Sequence, residues 1–212
     1  MDSVLAIIPI SGADYESAGR LPELNGVGLL DYTFDAARVA KTLTRTIVVT
    51  DSSMVADYAK SRGMDVPFLR PIELRTRPVI EVLRYATRTI AEAEGSEPDW
   101  VVQLQVTHPL RPSGFVDDAV RTVLGSDLDS AFAASEEFSS FWMLGDTGRP
   151  ERLVSSHRAA AGTRQPVYRE LSGLFSMARA AIVSAGSMVG DNLGIIPIRD
   201  RTFLLDVQES LR

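Results

Sequence analysis

Residues 4–26 read VLAIIPISGADYESAGRLPELNG, and the first part of this stretch decides the fold. Val4–Ile8 is an unbroken apolar run of strand length, which is typical of a strand buried on both faces of a parallel sheet. We expect Pro9 to end this strand and a glycine-containing loop to follow it. In open α/β sheets, the loop that leaves the first strand is the usual place for a nucleotide.

The charge of this loop is unusual for that role. Its only cation is Arg20, and Asp14, Glu16 and Glu23 lie around it. Phosphate groups are normally held by cations or by backbone N–H groups. The loop therefore has the glycines of a nucleotide site without its usual charge.

Strands and helices alternate through the first 135 residues. Apolar runs predict strands, and amphipathic stretches between them predict helices. The predicted strands after the first are 46–50, 100–105 and 130–135, and the predicted helices are 29–41, 54–62, 81–94 and 114–124. This order predicts a doubly wound α/β sheet. Further strands at 172–178, 194–198 and 202–206, a short helix at 180–187 and a closing helix at 208–212 complete a single domain over residues 1–212.

The regular pattern breaks at Glu136. Residues 136–165 combine several glycines and Pro150 with exposed-type apolar residues such as Trp142 and Leu144. We interpret this segment as a protruding arm. Aromatic residues on an arm are more typical of an oligomer contact than of a ligand cage, so the sequence predicts a homodimer.

The bulk composition excludes several classes of protein. A chain of 212 residues with 45% apolar content can bury a substantial core, and it contains no Cys. No apolar run reaches the roughly 18 residues of a membrane span. Residues 1–3 lack a basic region and the apolar run after them is too short for a signal peptide, so we do not expect this stretch to be one. The net charge of −6 argues against a nucleic-acid-binding protein. We expect a soluble cytoplasmic protein.

Several ordered segments carry a family resemblance. The most specific is LQVTHPLR at 104–111, and LNG at 24–26, VVTD at 48–51, FLRPIEL at 68–74 and PVYRE at 166–170 accompany it. Together they resemble the CMP-N-acetylneuraminate cytidylyltransferase family, in which the segment that corresponds to residues 104–111 reads LQPTSPLR. Relatives in that family act on legionaminic, pseudaminic and 3-deoxy-octulosonic acids. The resemblance implies a Rossmann-like, glycosyltransferase-A-like nucleotidyltransferase fold with a mixed sheet.

The resemblance also implies a reaction. The anomeric hydroxyl of an acidic sugar attacks the α-phosphate of CTP, CMP-sugar forms and pyrophosphate leaves, with Mg²⁺ bridging the phosphates. Such a reaction needs cations or amide N–H groups around the triphosphate, a carboxylate for the metal and a pocket for the sugar carboxylate. The expected ligands are therefore CTP, an acidic sugar and Mg²⁺.

The family pattern also indicates which residues bind the nucleotide and which bind the sugar. The predicted nucleotide-binding residues are Ser11, Gly12, Arg20, Asn25, Asp51 and Arg70, and the predicted substrate-binding residues are Gln105, Thr107, Arg111, Arg164 and Arg169. Simpler roles remain open for some of them. Arg70 could pair with Glu73, Arg111 could form a salt bridge to the next helix, and the last two arginines could be ordinary surface charges.

Two further positions concern catalysis. Asp206 matches the second Asp of the family's metal-binding DIDT strand, so we expect it to hold Mg²⁺, with helix capping as the alternative. Arg20 is the candidate catalytic cation. His108 stands where the family has Ser, and a lone loop His is more often a surface or capping residue than a general base.

The chain departs from the family at several of these places. The family loop ARGGSKGxPxKN has an Arg where this chain has Ser11, and both of its lysines are absent here. Each lost charge-assisted contact should cost roughly 1.5–3 kcal/mol. Leu204 replaces the first metal-binding Asp, and Arg75 and Arg77 occupy a shortened segment that helps to hold the base in the family.

These departures leave three functions open. The chain is an active cytidylyltransferase, a non-catalytic homologue that binds nucleotide or acts as a scaffold, or a nucleotidyltransferase for another nucleotide or acceptor.

Overall fold

A computed structural model of the protein describes residues 2–16, 21–153 and 166–207. The helices in these ranges are α1 (Ala13–Glu16), α2 (Leu29–Val39), α3 (Ser53–Ser61), α4 (Val79–Glu94), α5 (Phe115–Leu124) and α6 (Ala180–Ser184), with short 3₁₀ helices at Ile72–Thr76 and Arg201–Leu204. The strands are β1 (Val4–Ile10), β2 (Glu23–Leu24), β3 (Val27–Gly28), β4 (Arg45–Thr50), β5 (Trp100–Gln103), β6 (Ser130–Glu137), β7 (Trp142–Leu144), β8 (Pro150–Arg152), β9 (Val167–Glu170), β10 (Ser176–Arg179) and β11 (Leu193–Ile198). No helix in the described ranges combines the length and apolarity needed to cross a membrane.

One mixed sheet organises the molecule. Its strand order is β11-β6-β10-β5-β1-β4, and β9 pairs with β6. The pairs β1–β4, β1–β5 and β6–β11 are parallel, whereas β10 runs antiparallel to both β5 and β6. The predicted Rossmann-like α/β fold with a mixed sheet is confirmed.

β1 is covered on both faces, as its continuous apolar sequence predicts. Val4, Ala6 and Ile8 belong to the core under α2, α3 and α5, while Leu5 and Ile7 belong to the core under α4 and α6. Because both layers bury β1, its register with β4 and β5 is fixed. The carboxyl ends of these three parallel strands therefore lie side by side.

The prediction that Pro9 ends the first strand is wrong. β1 continues to Ile10, and Pro9 pairs with Val49 of β4. Beyond Ile7, however, β1 no longer pairs with β5, which ends at Gln103. A proline nitrogen at this position needs no strand partner on that side, so the residue is tolerated.

The predicted strand at 202–206 is also wrong. The chain forms a 3₁₀ helix at Arg201–Leu204 and continues without regular structure to Val207. Phe203 and Leu204 are partly buried against the core on the α5 side of the sheet. This packing explains why the segment is apolar although it is not a strand. The closing helix predicted at 208–212 lies outside the described residues.

The predicted arm begins with a hairpin. β6 extends two residues beyond its predicted end, to Glu137, and β7 and β8 then form a separate two-stranded sheet. The hairpin exposes Trp142, Met143 and Leu144, and Phe138 is exposed before it. Residues 154–165 of the predicted arm lie outside the described residues.

Candidate active site

A cavity of about 250 Å³ opens at the carboxyl ends of β1 and β5. Its walls come from three segments that are distant in sequence. The loop after β1 contributes Ser11 and Tyr15, the stretch 70–82 contributes Arg70, Leu74, Arg75, Arg77, Val79 and Val82, and the loop after β5 contributes Gln105, Val106 and Thr107. This edge of an α/β sheet is where ligands bind.

Asp51 organises one side of the cavity from below. It follows β4 directly, and its side chain is fully buried. Its Oδ1 accepts hydrogen bonds from the Gly12 N–H at 3.2 Å and from Arg70 Nη2 at 2.8 Å, and its Oδ2 accepts one from Arg75 Nε. The carboxylate thus joins the first loop to both arginines.

The ionisation of Asp51 follows from these contacts. Burial alone would raise the pKa of its carboxyl group, but the Gly12 N–H and the Arg70 and Arg75 guanidiniums together outweigh burial. The pKa of Asp51 therefore lies below its ordinary value of 3.8. At neutral pH the group is a carboxylate that neutralises part of the positive charge above it.

This arrangement gives Gly12 and Asp51 roles that differ from the predicted contact with the nucleotide. Gly12 donates its N–H to the Asp51 carboxylate and does not line the cavity, and Asp51 itself supports the cavity without lining it. Arg70 does line the cavity, and its partner is Asp51 rather than Glu73. Ser11 lines it as well.

The loop after β5 is fixed by a close backbone contact. The N–H of Gln105 donates to the carbonyl oxygen of Gly173 at 2.8 Å. A Cβ at Gly173 would lie 2.6 Å from His108 Nδ1 and 2.8 Å from Gln105 Oε1, so a larger residue there would require the side chains of His108 and Gln105 to shift. Thr107 Oγ1 lies 3.4 Å from Gln105 Oε1, which places both polar groups on the same cavity wall.

Arg111 holds this loop together from inside. Its guanidinium is partly buried and donates five hydrogen bonds, whose acceptors are the carbonyl oxygens of Gln105, His108, Gly173 and Leu174 and the hydroxyl of Thr33. Burial lowers the pKa of Arg111 to about 9, so it stays protonated at neutral pH. The prediction that Arg111 binds substrate does not fit, because these acceptors occupy its donors.

His108, Asp206 and Arg169 lie close together beside the cavity. His108 Nε2 is 3.8 Å from Asp206 Oδ2, and the N–H of Val207 donates to the Thr107 carbonyl at 2.9 Å. Burial lowers the pKa of His108, with Asp206 opposing this effect and the charges of Arg111 and Arg169 adding to it. His108 is therefore neutral near pH 7.

Asp206 is the residue expected to hold Mg²⁺, and its surroundings can be compared with what that ion requires. Its side chain is 40% exposed and adjoins the Gln105–Thr107 wall through the Val207 contact. The described residues contain no group of three or more His, Cys, Asp or Glu side chains arranged to hold a metal. Mg²⁺ commonly uses one or two carboxylates together with substrate phosphates, so a single Asp206 fits that chemistry.

The remaining predicted residues lie elsewhere. Asn25 and Gly26 form the exposed turn between β2 and β3, with φ of 53° and 76°, and Asn25 does not line the cavity. Arg169 lies on β9, where its Nε is 3.6 Å from Glu137. Arg20 and Arg164 lie outside the described residues.

A second cavity, of about 420 Å³, lies between α2 and residues 109–117. Its walls are mainly apolar, and the charged residues among them are already bonded. Asp35 pairs with Arg38, and Asp117 Oδ1 accepts hydrogen bonds from the N–H and hydroxyl of Thr42, each at 2.8 Å. Because it lacks converging polar groups, this groove is a weaker candidate for catalysis.

Comparison with known structures identifies the class of this fold. The chain resembles the solved structure of a CMP:2-keto-3-deoxy-manno-octonic acid synthetase complexed with CTP, with a TM-score of 0.68, 11% identity and coverage of 94% of this chain and 91% of that one. It resembles 4-diphosphocytidyl-2C-methyl-D-erythritol synthase from Anaerococcus prevotii with a TM-score of 0.65, 12% identity and coverage of 99% and 95%. The fold is that of the Rossmann-like nucleotidyltransferases.

The family follows from the sequence itself. The cytidylyltransferase family model matches residues 20–166, so the chain belongs to the cytidylyltransferase family. A curated relative, post-translational flagellin modification protein B of Campylobacter coli, is 24% identical over 194 residues, covering 89% of this chain and 82% of that protein.

Most of the residues that line the cavity were not predicted from sequence. Tyr15 lines the cavity from α1, and Val82 lines it from α4. Arg75 and Arg77 were noted only as lying in a shortened segment. A sequence signal existed for these arginines, because RTR precedes Pro78 and Pro is favoured at a helix start, where anions bind.

Proposed function

We propose that the protein transfers CMP from CTP to an acidic sugar of the nonulosonic type and releases pyrophosphate. The observation that carries the proposal is the cavity at the carboxyl ends of β1 and β5, in a chain of the cytidylyltransferase family. The cavity combines three arginines with hydroxyl and amide groups, and no Asp or Glu belongs to its described lining. Such a wall suits a polyanionic nucleotide.

The sugar binds, in this proposal, next to the loop after β5. Gln105 and Thr107 present an amide and a hydroxyl on the cavity wall, which suit the hydroxyl groups of a sugar. Arg169 lies near enough to His108 for its charge to affect the pKa of the imidazole, and it is half exposed. We assign Arg169 to the sugar carboxylate, because a guanidinium pairs with a carboxylate through two parallel hydrogen bonds.

The name of one relative supports an acidic sugar only indirectly. The flagellin modification protein of Campylobacter coli and the octonic acid synthetase are similar to this chain, and the second is named for an acid sugar. Both similarities fall below 25% identity, so the choice of acceptor rests on the charge and hydrogen-bonding groups of the site.

The reaction joins the anomeric oxygen to the α-phosphorus of CTP and breaks the bond between that phosphorus and the oxygen that leaves with pyrophosphate. The hydroxyl proton is released as the new bond forms. The chain positions the two reactants and offsets the charge that develops on the phosphates. Asp206 would hold Mg²⁺, and the ion would offset part of that charge when bound.

Preorganisation is the feature of the site that suits this task. Arg70 is fixed by Asp51, the Gln105 loop is fixed by Gly173, and Arg111 fixes both loops from beneath. Groups whose positions are set before binding need little reorganisation in the reaction. The buried bonds around the cavity therefore contribute to catalysis without touching substrate.

We also propose that the protein is a homodimer that associates through the hairpin β7–β8. Trp142, Met143 and Leu144 are all exposed on the hairpin, and Phe138 is exposed next to it. Aromatic residues and Met are enriched in interfaces, and monomeric proteins rarely expose contiguous apolar patches of this kind.

The proposal is tested by pyrophosphate release. The protein is incubated with CTP, Mg²⁺ and a panel of nonulosonic and octulosonic acids, and with ATP, GTP and UTP in place of CTP. We expect CTP-dependent release with at least one acid and much less with the other nucleotides. The substitution Gln105→Glu keeps the side-chain shape and adds a negative charge, and it should lower kcat/KM about tenfold or more.

Asn192→Asp is the matched control, since it makes the same chemical change on an exposed turn beyond the sheet. It should leave kcat/KM within about twofold of the wild type. A folded protein that releases no pyrophosphate with any acid would contradict the proposed activity and favour a nucleotide-binding or scaffold role.

A further inference from the structure

One short segment supplies most of the positive charge of the cavity. The 3₁₀ helix Ile72–Thr76 and the following Arg77 belong to the second of the three segments around the cavity, and Arg75 and Arg77 both line it. By contrast, the described part of the first loop, residues 11–16, contains no Lys or Arg. The cations that line the cavity therefore come from residues 70–77 and not from the described part of the first loop.

Asp51 distinguishes the roles of the three arginines. It pairs with Arg70, whose side chain is only 4% exposed, and with Arg75, whose side chain is 27% exposed. The carboxylate neutralises one of the three positive charges and fixes two of the guanidiniums. Arg77 is exposed and makes no side-chain hydrogen bond or ion pair with the part of the chain that the structure describes.

A second feature adds positive potential at the same place. Helix α4 begins at Val79, directly after Pro78, and Val79 lines the cavity. The positive end of the α4 dipole therefore points toward the space that Arg75 and Arg77 enclose. A helix of 16 residues carries the full dipole effect.

We propose that Arg75 and Arg77 bind the β- and γ-phosphates of the nucleoside triphosphate and replace the cations that the first loop lacks. This inference rests on the proposed function, because it concerns the triphosphate of the same cavity. Arg75 is held in place by Asp51, whereas Arg77 closes on the phosphates when the nucleotide binds. The phosphate contacts of this protein thus come from the wall that precedes α4.

The inference predicts how affinity depends on the number of phosphates. CTP should bind more tightly than CDP, and CDP more tightly than CMP, because each added phosphate gains a guanidinium. Arg77→Ala should weaken CTP binding about tenfold or more and leave CMP binding within about twofold. Arg75→Lys keeps a charge but loses the planar two-point contact, so it should weaken CTP binding by a smaller factor.

The experiment is a calorimetric titration of CMP, CDP and CTP with Mg²⁺ into the wild type and these variants. Arg88→Ala is the matched control, because Arg88 is an exposed arginine of α4 that pairs only loosely with Glu92 and does not line the cavity. Arg20→Ala tests the first loop. We expect Arg88→Ala to bind all three nucleotides as the wild type does, and Arg20→Ala to weaken CTP less than Arg77→Ala.

The outcomes separate this inference from the proposed function. Suppose that the wild type binds CTP and that the Arg77→Ala variant has the wild-type affinity for both CTP and CMP. The inference is then wrong, while the proposed function stands. A CTP-specific loss in Arg20→Ala with none in Arg77→Ala also overturns it and assigns the phosphates to the first loop. A folded wild type that binds no CTP overturns both.

Discussion

Arg70 and Asp51 form a buried ion pair with 2.8 Å between Nη2 and Oδ1, directly beneath the candidate active site. The two residues lie close together because the backbone N–H of Arg70 donates a hydrogen bond to the carbonyl oxygen of Thr50, the last residue of β4, which directly precedes Asp51. The pair is therefore built into the edge of the sheet. It presents a guanidinium to the cavity in a fixed orientation, and its removal tests the site and the fold together.

Asp51→Asn should destabilise the protein strongly. The amide cannot neutralise Arg70, and a buried cation without its partner typically costs about 3–5 kcal/mol. Urea denaturation followed by circular dichroism measures the free energy of unfolding. Asp35→Asn is the control, because Asp35 is in an exposed pair with Arg38 and should change stability by less than about 0.5 kcal/mol. Equal stability of the two variants would contradict this account of Asp51.

The contribution of Asp51 to stability should depend on pH. Its pKa in the folded protein is lower than its ordinary value of 3.8, so the folded state binds this proton less readily than the unfolded state does. The stabilisation is complete above about pH 3.8 and is lost as the pH falls through the folded-state pKa. The difference in unfolding free energy between wild type and Asp51→Asn should therefore be constant from pH 5 to 7, an interval in which this carboxyl stays ionised, and shrink in acid.

Arg111→Met should act on stability rather than on substrate recognition. The substitution removes the Arg111 donors from four carbonyl oxygens, and those of His108 and Leu174 then have no other donor among the described residues. Each buried group that stays unsatisfied costs about 1–3 kcal/mol. The melting temperature should fall by many degrees. Arg121→Met, at an exposed position on α5, should leave it nearly unchanged. A stable Arg111→Met protein with a raised KM for the sugar would instead indicate a binding role.

The exposed hairpin should determine the oligomeric state. Light scattering at micromolar concentration should give a dimer for the wild type and a monomer for Leu144→Asp, because a buried carboxylate at an apolar interface is unfavourable. Leu124→Asp places the same charge on an exposed leucine of α5 and should remain dimeric. A monomeric wild type would refute the proposed dimer.

The sheet could be predicted from sequence because its signals are local. The apolar run at Val4–Ile8 occupies a few consecutive residues, and so does the pattern of each strand or helix that follows it. The same local reasoning failed at 202–206, where apolar residues pack on a helix layer instead of joining the sheet. A short apolar run alone does not distinguish these two outcomes.

The site could be predicted only in part, for a different reason. Gln105, Thr107, Ser11 and Arg70 do meet at one cavity, as sequence placed them. The roles of Arg111 and Asp51 depend on partners that are far away in the chain, such as Gly173 for Arg111 and Gly12 for Asp51. No local pattern reports such contacts, so the sequence predicts ligand contacts for Arg111 and Asp51 where the structure shows hydrogen bonds within the protein.

The central claim is that the cavity at the ends of β1 and β5 binds CTP, and a structure determined with CTP and Mg²⁺ tests it most directly. The predicted result is a nucleotide in this cavity, with its β- and γ-phosphates against Arg75 and Arg77 and its α-phosphate facing Gln105. CTP in the apolar groove between α2 and residues 109–117, with the first cavity empty, would contradict the claim.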